Sequence, residues 1–168
     1  MRILIMLLIF CVACGSEDSP IVLNESGTLR ATISGSEQVA PEVDVTMRKS
    51  SFQVPNELAF LADFNGTTTG ISFTVSTNNL NVALQKGEFV AKGNNPPISP
   101  SYFFYFPNDG SGAFMSTNVA QEIAGIVTIT DLDVVNKTVS GTFDMKVKRN
   151  TETLQLTKGS FTKLVYKE

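Results

Sequence analysis

Beyond residue 27 the chain alternates apolar and polar side chains with a period of two. Leu29, Ala31 and Ile33 alternate with Arg30, Thr32 and Ser34, and Val43, Val45 and Met47 with Asp44, Thr46 and Arg48. Ile71, Phe73 and Val75 alternate with Ser72, Thr74 and Ser76. Val139, Gly141, Phe143, Met145 and Val147 alternate with Ser140, Thr142, Asp144, Lys146 and Lys148, and Leu154 and Leu156 sit between Thr153, Gln155 and Thr157. Successive side chains of a strand point to opposite faces, so this pattern predicts strands with one face in a core and one in water. Turn signals separate the runs: Asn65-Gly66, Asp109-Gly110 and Asn94-Asn95-Pro96-Pro97. The expected fold is all-β, an antiparallel β-sandwich or barrel of about ten to twelve strands. It occupies one domain over residues 27–168. Two segments read both ways. Asn56 to Ala62 suits a short capped helix or a buried strand, and Val119 to Ala124 suits a helical turn. Gly-x-Phe recurs at Gly87-Phe89, Gly112-Phe114, Gly141-Phe143 and Gly159-Phe161. Each pair places an aromatic on the same face as a strand glycine, which is a folding feature.

The first residues break this pattern. Arg2 precedes an unbroken apolar run from Ile3 to Ala13, the length of a signal-peptide core and short of the ~20 residues that span a bilayer. The run ends in Cys11-Val12-Ala13-Cys14. This resembles a bacterial lipobox, with Cys11 where Leu is usual. The resemblance implies a cleaved signal peptide at 1–13, lipidation of Cys14, and a flexible tether over 14–26. Gly15-Ser16-Glu17-Asp18-Ser19-Pro20 resembles the surface-export tether of Bacteroidota lipoproteins. The expected location is therefore the outer membrane, lipid-anchored, at the cell surface rather than the periplasmic face. Two or three acyl chains give stable anchoring where one is marginal.

The C-terminal half carries a wider resemblance. Gly125-Ile126-Val127-Thr128-Ile129-Thr130-Asp131 leads through Asn136-Lys137-Thr138-Val139-Ser140 into Gly141-Thr142-Phe143, and Gly159-Ser160-Phe161 closes the chain. The pattern is similar to a group of small Bacteroidota lipoproteins with a signal peptide, a lipidated Cys and an all-β domain. It covers roughly residues 80–168 and the signal, and implies a location and a fold without a catalytic residue.

Composition narrows the chemistry. The 168 residues contain no His and no Trp, and Lys+Arg number 13 against Asp+Glu 16. Without His, Ser-His-Asp and Cys-His nucleophile systems are excluded, and so is a His/Cys zinc site. The slightly acidic balance gives no footprint for nucleic acid. No cofactor and no metal are expected.

Three sets of residues remain as candidates. Asp131, Asp133 and Asn136 gather oxygens in one loop, as Ca²⁺ requires, but lack the glycine and bidentate Glu of an EF-hand, so a solvated turn is the expectation. Ser101-Tyr102-Phe103-Phe104-Tyr105-Phe106 is a strand aromatic on both faces, either buried on both sides or with one face left for a ligand. Tyr102, Phe104 and Tyr105 are the candidate ligand-binding residues, since exposed aromatics stack on sugars or fill a partner's pocket. Asp63, Asp109, Asp131 and Asp133 are the carboxylates a glycosidase would draw on. Lys146, Lys148 and Arg149 read as a basic stripe on an outer face, balanced by Asp144 and Glu152. The leading expectation is a non-enzymatic envelope lipoprotein with a binding or accessory role, its partners the membrane and a glycan, small apolar ligand or envelope protein. The alternatives are an apolar-ligand carrier, whose Phe-rich barrel would hold a cavity of about 300 Å³ or more, and a carboxylate glycosidase.

Overall fold

A computed structural model describes residues 27–49, 56–64, 69–77, 82–92, 101–107, 109–119 and 123–168. The expected signal peptide, Cys14, the tether, Asn65-Gly66 and Asn94 to Pro97 lie outside them. The described residues form an all-β fold: β1 (Thr28–Ile33), β2 (Ser36–Ala40), β3 (Glu42–Arg48), β4 (Glu57–Asp63), β5 (Gly70–Ser76), β6 (Gly87–Lys92), β7 (Ser101–Phe106), β8 (Phe114–Met115), β9 (Ile123–Asp133), β10 (Thr138–Arg149) and β11 (Glu152–Lys167). Asn56 to Ala62 resolves as strand. The helical turn falls at Ser116–Asn118, just before the segment expected to hold it, and Ile123 already begins β9.

The strands form one sheet in the order β2-β1-β11-β3-β4-β5-β7-β8-β10-β9-β6, with β10 and β11 also paired. That last pairing closes the ring, so the fold is a flattened barrel with two packed layers. One layer is β2-β1-β11-β10-β9-β6 and the other β3-β4-β5-β7-β8. The layers join where Tyr166 and Lys167 of β11 pair with Val45 and Thr46, and where Lys148 of β10 pairs with Met115. The β3–β11 contact is parallel, an exception to the expected antiparallel pattern.

Aromatic rings fill the space between the layers. Phe73 stacks on Phe60 at 4.3 Å and on Phe103 at 4.4 Å. From the opposite layer Phe143 meets Phe73 at 5.3 Å and Phe161 meets Phe60 at 5.1 Å. Offset and tilted pairs at these distances add stability beyond the area they bury.

The Gly-x-Phe motifs of β10 and β11 are reciprocal. Gly141 pairs with Phe161, and Phe143 with Gly159. Each ring lies over the partner's glycine: a Cβ on Gly159 would stand 2.5 Å from the Phe143 ring, and one on Gly141 2.5 Å from Phe161 Cζ. Such pairing protects a strand glycine and pins the register. Two bulges bend β11 around the core, at the register shifts Phe143/Met145 and Val139/Gly141. At each, a lysine takes a left-handed backbone, Lys158 with φ 52° and Lys163 with φ 47°. The amide turned out of the ladder is recovered by a β10 side chain: Lys158 N donates to Asp144 Oδ1 (3.1 Å) and Lys163 N to Ser140 Oγ (2.9 Å). Buried or half-buried amides need such partners. One expectation fails at β5, where Thr74 and Ser76 on the polar side are buried as well.

Candidate functional site

β7 is the strand the sequence singles out, and its two faces have different fates. Phe103 is 1% exposed and belongs to the central stack. Its amide donates to Ser116 Oγ at 2.9 Å, and Ser116 is itself fully buried. Tyr105, on the same inner face, is half-buried and packs against Phe114 at 5.9 Å. Burial, and then the negative charge of Asp109, push its phenol above the usual tyrosine value. Tyr102 pairs through its backbone with Thr74, and its side chain lies outside the described set.

Phe104 and Phe106 point the other way. Their rings stack at 6.1 Å with 17° between planes, and Phe106 is 39% exposed. The ladder carries this face across four strands. Leu61 pairs with Ser72, Ser72 with Phe104, and Phe104 with Met115. Small Ser72 separates Leu61, which is 50% exposed, from the aromatic pair. The result is an apolar outer face on β4, β5, β7 and β8, made of Leu61, Phe104, Phe106 and Met115. Of the sequence candidates only Phe104 is placed there. Tyr105 is turned inward. Phe106 is legible from alternation, two residues beyond Phe104; Leu61 and Met115 depend on register.

Beside this face, Arg149 ties the 109–112 loop to the sheet. Its guanidinium lies 4.2 Å from the Phe114 ring centroid and donates to Glu152 Oε2 (2.9 Å), Gly112 O (3.1 Å) and Ser111 Oγ, with Asp109 Oδ1 at 4.0 Å. This corrects the expected basic stripe. Arg149 follows Lys148 directly, so the pleat turns it to the other face, where it is a loop anchor. The Asp144 carboxylate accepts the Lys158 amide.

Of the remaining candidate carboxylates, Asp63 ends β4, where it pairs through its backbone with Glu42 and Gly70, and Asp109, Asp131 and Asp133 are engaged by their side chains. Asp109 accepts from the Ser111 hydroxyl and, at 2.8 Å, from the Ser111 amide, and these bonds with Arg149 hold it below the usual carboxylate value. Asp131 pairs with Lys86 at 2.6 Å. Asp133 accepts from Val135 N, Asn136 N and Asn136 Nδ2 at 2.7–2.9 Å, and the Asn136 bonds lower its pKa most. The Asp131-Asp133-Asn136 loop spends its oxygens on itself and on Lys86, as a solvated turn does. Among the described residues no cluster of three or more His, Cys, Asp or Glu could hold a metal ion.

An open groove of about 320 Å³ lies over the first β11 bulge, lined by Ala124, Asp144, Met145, Lys146, Gln155, Leu156 and Thr157. It is a surface depression, distinct from the interior that the rings fill.

The chain matches no family model, no curated protein and no solved structure.

Proposed function

We propose that this chain is a lipid-anchored envelope lipoprotein, acylated at Cys14, whose all-β domain has a non-enzymatic binding or accessory role at the cell surface. The observation that carries the reading is the Arg2-led apolar run ending in Cys11-Val12-Ala13-Cys14, followed at once by a small and acidic tether. The domain is consistent with a surface-acting module. Phe60, Phe73, Phe103, Phe143 and Phe161 occupy the space a carrier would keep for cargo. The outer face of Leu61, Phe104, Phe106 and Met115 is the binding surface this reading favours, with glycans or an envelope protein as its partner class. The engagement of Asp109, Asp131 and Asp133 in turns and ion pairs weighs against a carboxylate glycosidase, which needs two carboxyl groups facing a substrate.

Growth with labelled palmitate tests the anchor. Wild-type chain is expected to take up label and sediment with membranes, and Cys14→Ala to stay unprocessed and unlabelled; equal labelling of both overturns the reading. A thermal-shift screen against oligosaccharides, fatty acids and Ca²⁺ tests the binding role. A ligand at 100 times its Kd adds ~2.7 kcal/mol, and Phe106→Ser is expected to abolish that shift without altering the unliganded melt by more than ~0.5 kcal/mol.

A further inference from the structure

The large hydrophobic side chains standing furthest into solvent, among the described residues, are Val135 at 85% and Val134 and Val165 at 67% each. All three lie at one end of the sandwich. Val134 and Val135 form the tip of the β9–β10 hairpin, between Asp133 and Thr138, which pair across the ladder. Thr138 pairs on its other side with Val165. A hairpin tip is ordinarily the place for Gly, Asn, Asp and Ser. Here Asp133 uses three hydrogen bonds to fix the loop, and the fixed loop presents two adjacent valines to the outside. Lys137 and Lys163 flank them, both exposed, with the Glu168 carboxylate near enough to Lys137 to be held lower by its charge.

The chain enters the domain at this same end. Gly27 N donates to Thr162 O at 2.8 Å, and Thr28 pairs with Thr162, about 10 Å along β11 from Val165. From Gly27 back to Cys14 the chain reaches about 45 Å at most. The turn at Asn150 and Thr151 is at the far end of β10, a twelve-residue strand of about 40 Å. A chain held at Cys14 thus enters the domain nearer the valine end than the Asn150 end, so unless the tether is drawn out the valine end lies closer to the anchor.

We propose that Val134, Val135 and Val165 form a second contact with the lipid bilayer in which the chain is anchored. The valines enter the boundary between headgroups and acyl chains, and Lys137 and Lys163 meet the lipid phosphates. This inference rests on the lipoprotein reading above. It makes the domain dock on the membrane in one orientation, with the Arg149 end and the outer face of β7 and β8 turned away from the lipid.

With residues 1–13 removed and Cys14 acylated, an introduced cysteine is the only free thiol. Val135→Cys and Asn150→Cys therefore each carry a single polarity-sensitive fluorophore on the acylated protein, reconstituted in phosphatidylethanolamine/phosphatidylglycerol vesicles containing a nitroxide lipid. The label at 135 is expected to shift to the blue and be quenched, and the label at 150 to behave as in water. Adding Val134→Asn to the Val135→Cys protein is expected to lower the quenched population by about tenfold, the worth of one buried valine. Equal quenching at both sites, in protein whose acylation is confirmed by mass, overturns the inference and leaves the lipoprotein reading standing. If Cys14 carries no lipid, that reading fails by itself, and the same labels on residues 15–168, which hold no cysteine of their own, decide the contact: quenching at 135 alone upholds it, and none overturns it. Shielding at 135 without vesicles, together with a doubled mass in solution, assigns the valine end to a second copy and also overturns it.

Discussion

Replacing Gly159 with Ala probes the reciprocal glycine–phenylalanine pairing on which the fold is centred. The added Cβ would stand 2.5 Å from Cδ2 and Cε2 of Phe143 and 2.5 Å from the Phe143 carbonyl oxygen, where ordinary contact begins at 3.4 Å. Ring and ladder must both yield by nearly an ångström. Neither can do so locally, because the Phe143 ring lies 5.3 Å from Phe73 and 5.8 Å from Phe103, and the strain passes into the stack. Overpacking of this kind costs ~1–3 kcal/mol, and disturbing two aromatic pairs adds ~0.5–1.5 kcal/mol each. The reduced freedom of the unfolded chain returns ~0.5–1 kcal/mol. The net loss is about 2–4 kcal/mol from a total stability of ~5–15 kcal/mol. In a domain of this size that lowers the melting temperature by roughly 5–15 °C. Urea unfolding of residues 15–168, followed by far-ultraviolet circular dichroism, is expected to show a lower midpoint with an unchanged slope. Phe143→Leu in the Gly159→Ala background is expected to recover part of the loss, giving a coupling of ~1 kcal/mol or more. A Gly159→Ala protein as stable as the parent, or more so, refutes the pairing, because in open space alanine would stabilise a strand.

Phe73→Ala empties the centre of the stack and is expected to cost ~4–5 kcal/mol, enough to leave residues 15–168 unfolded or barely folded at 37 °C by calorimetry. Arg149→Ala removes a cation–π contact and the bonds that hold the 109–112 loop; a loss of ~1–2 kcal/mol and faster hydrogen exchange at the Ser111 and Phe114 amides are expected, with exchange elsewhere unchanged. Asp109 and Asp133 have lowered folded pKa values, so on acidification the unfolded chain takes up protons first. Their stabilisation is whole above about pH 4 and is lost as pH falls through the lowered folded values; urea midpoints between pH 6 and 2.5 should decline, less steeply in Asp133→Asn, and a midpoint rising on acidification contradicts this. Burial raises the phenols of Tyr105 and Tyr166, so an alkaline absorbance titration should show them ionising after free tyrosine, with stability falling above about pH 10.

The strands that alternate cleanly are legible in the amino-acid pattern alone. β1, β3, β10 and β11 bury the residues their pattern assigns inward: Leu29, Ala31, Val45, Val139, Phe143, Val147 and Leu156. β4 is ambiguous for a physical reason. Glu57 and Leu58 are both buried at its start, so the period of two is lost where it would have decided between strand and helix. The parallel pairing of Tyr166 with Val45 joins residues more than a hundred positions apart, and no local signal encodes it. The Gly-x-Phe motifs are visible one by one, but their reciprocity is a property of the β10–β11 register. The outer apolar face divides the same way. Phe104 and Phe106 follow from alternation within one strand, whereas Leu61 and Met115 reach them only through ladder contacts across β4, β5, β7 and β8. Arg149 reads as one more surface charge until the loop beneath it is in place.

The central claim concerns how the chain is held at the envelope, and the intact mass and N-terminal peptide of the protein extracted from membranes test it most directly. A chain beginning at Cys14 and carrying a diacylglyceryl group is the predicted result. A mature N-terminus at another residue, or an unmodified Cys14 thiol, would contradict it.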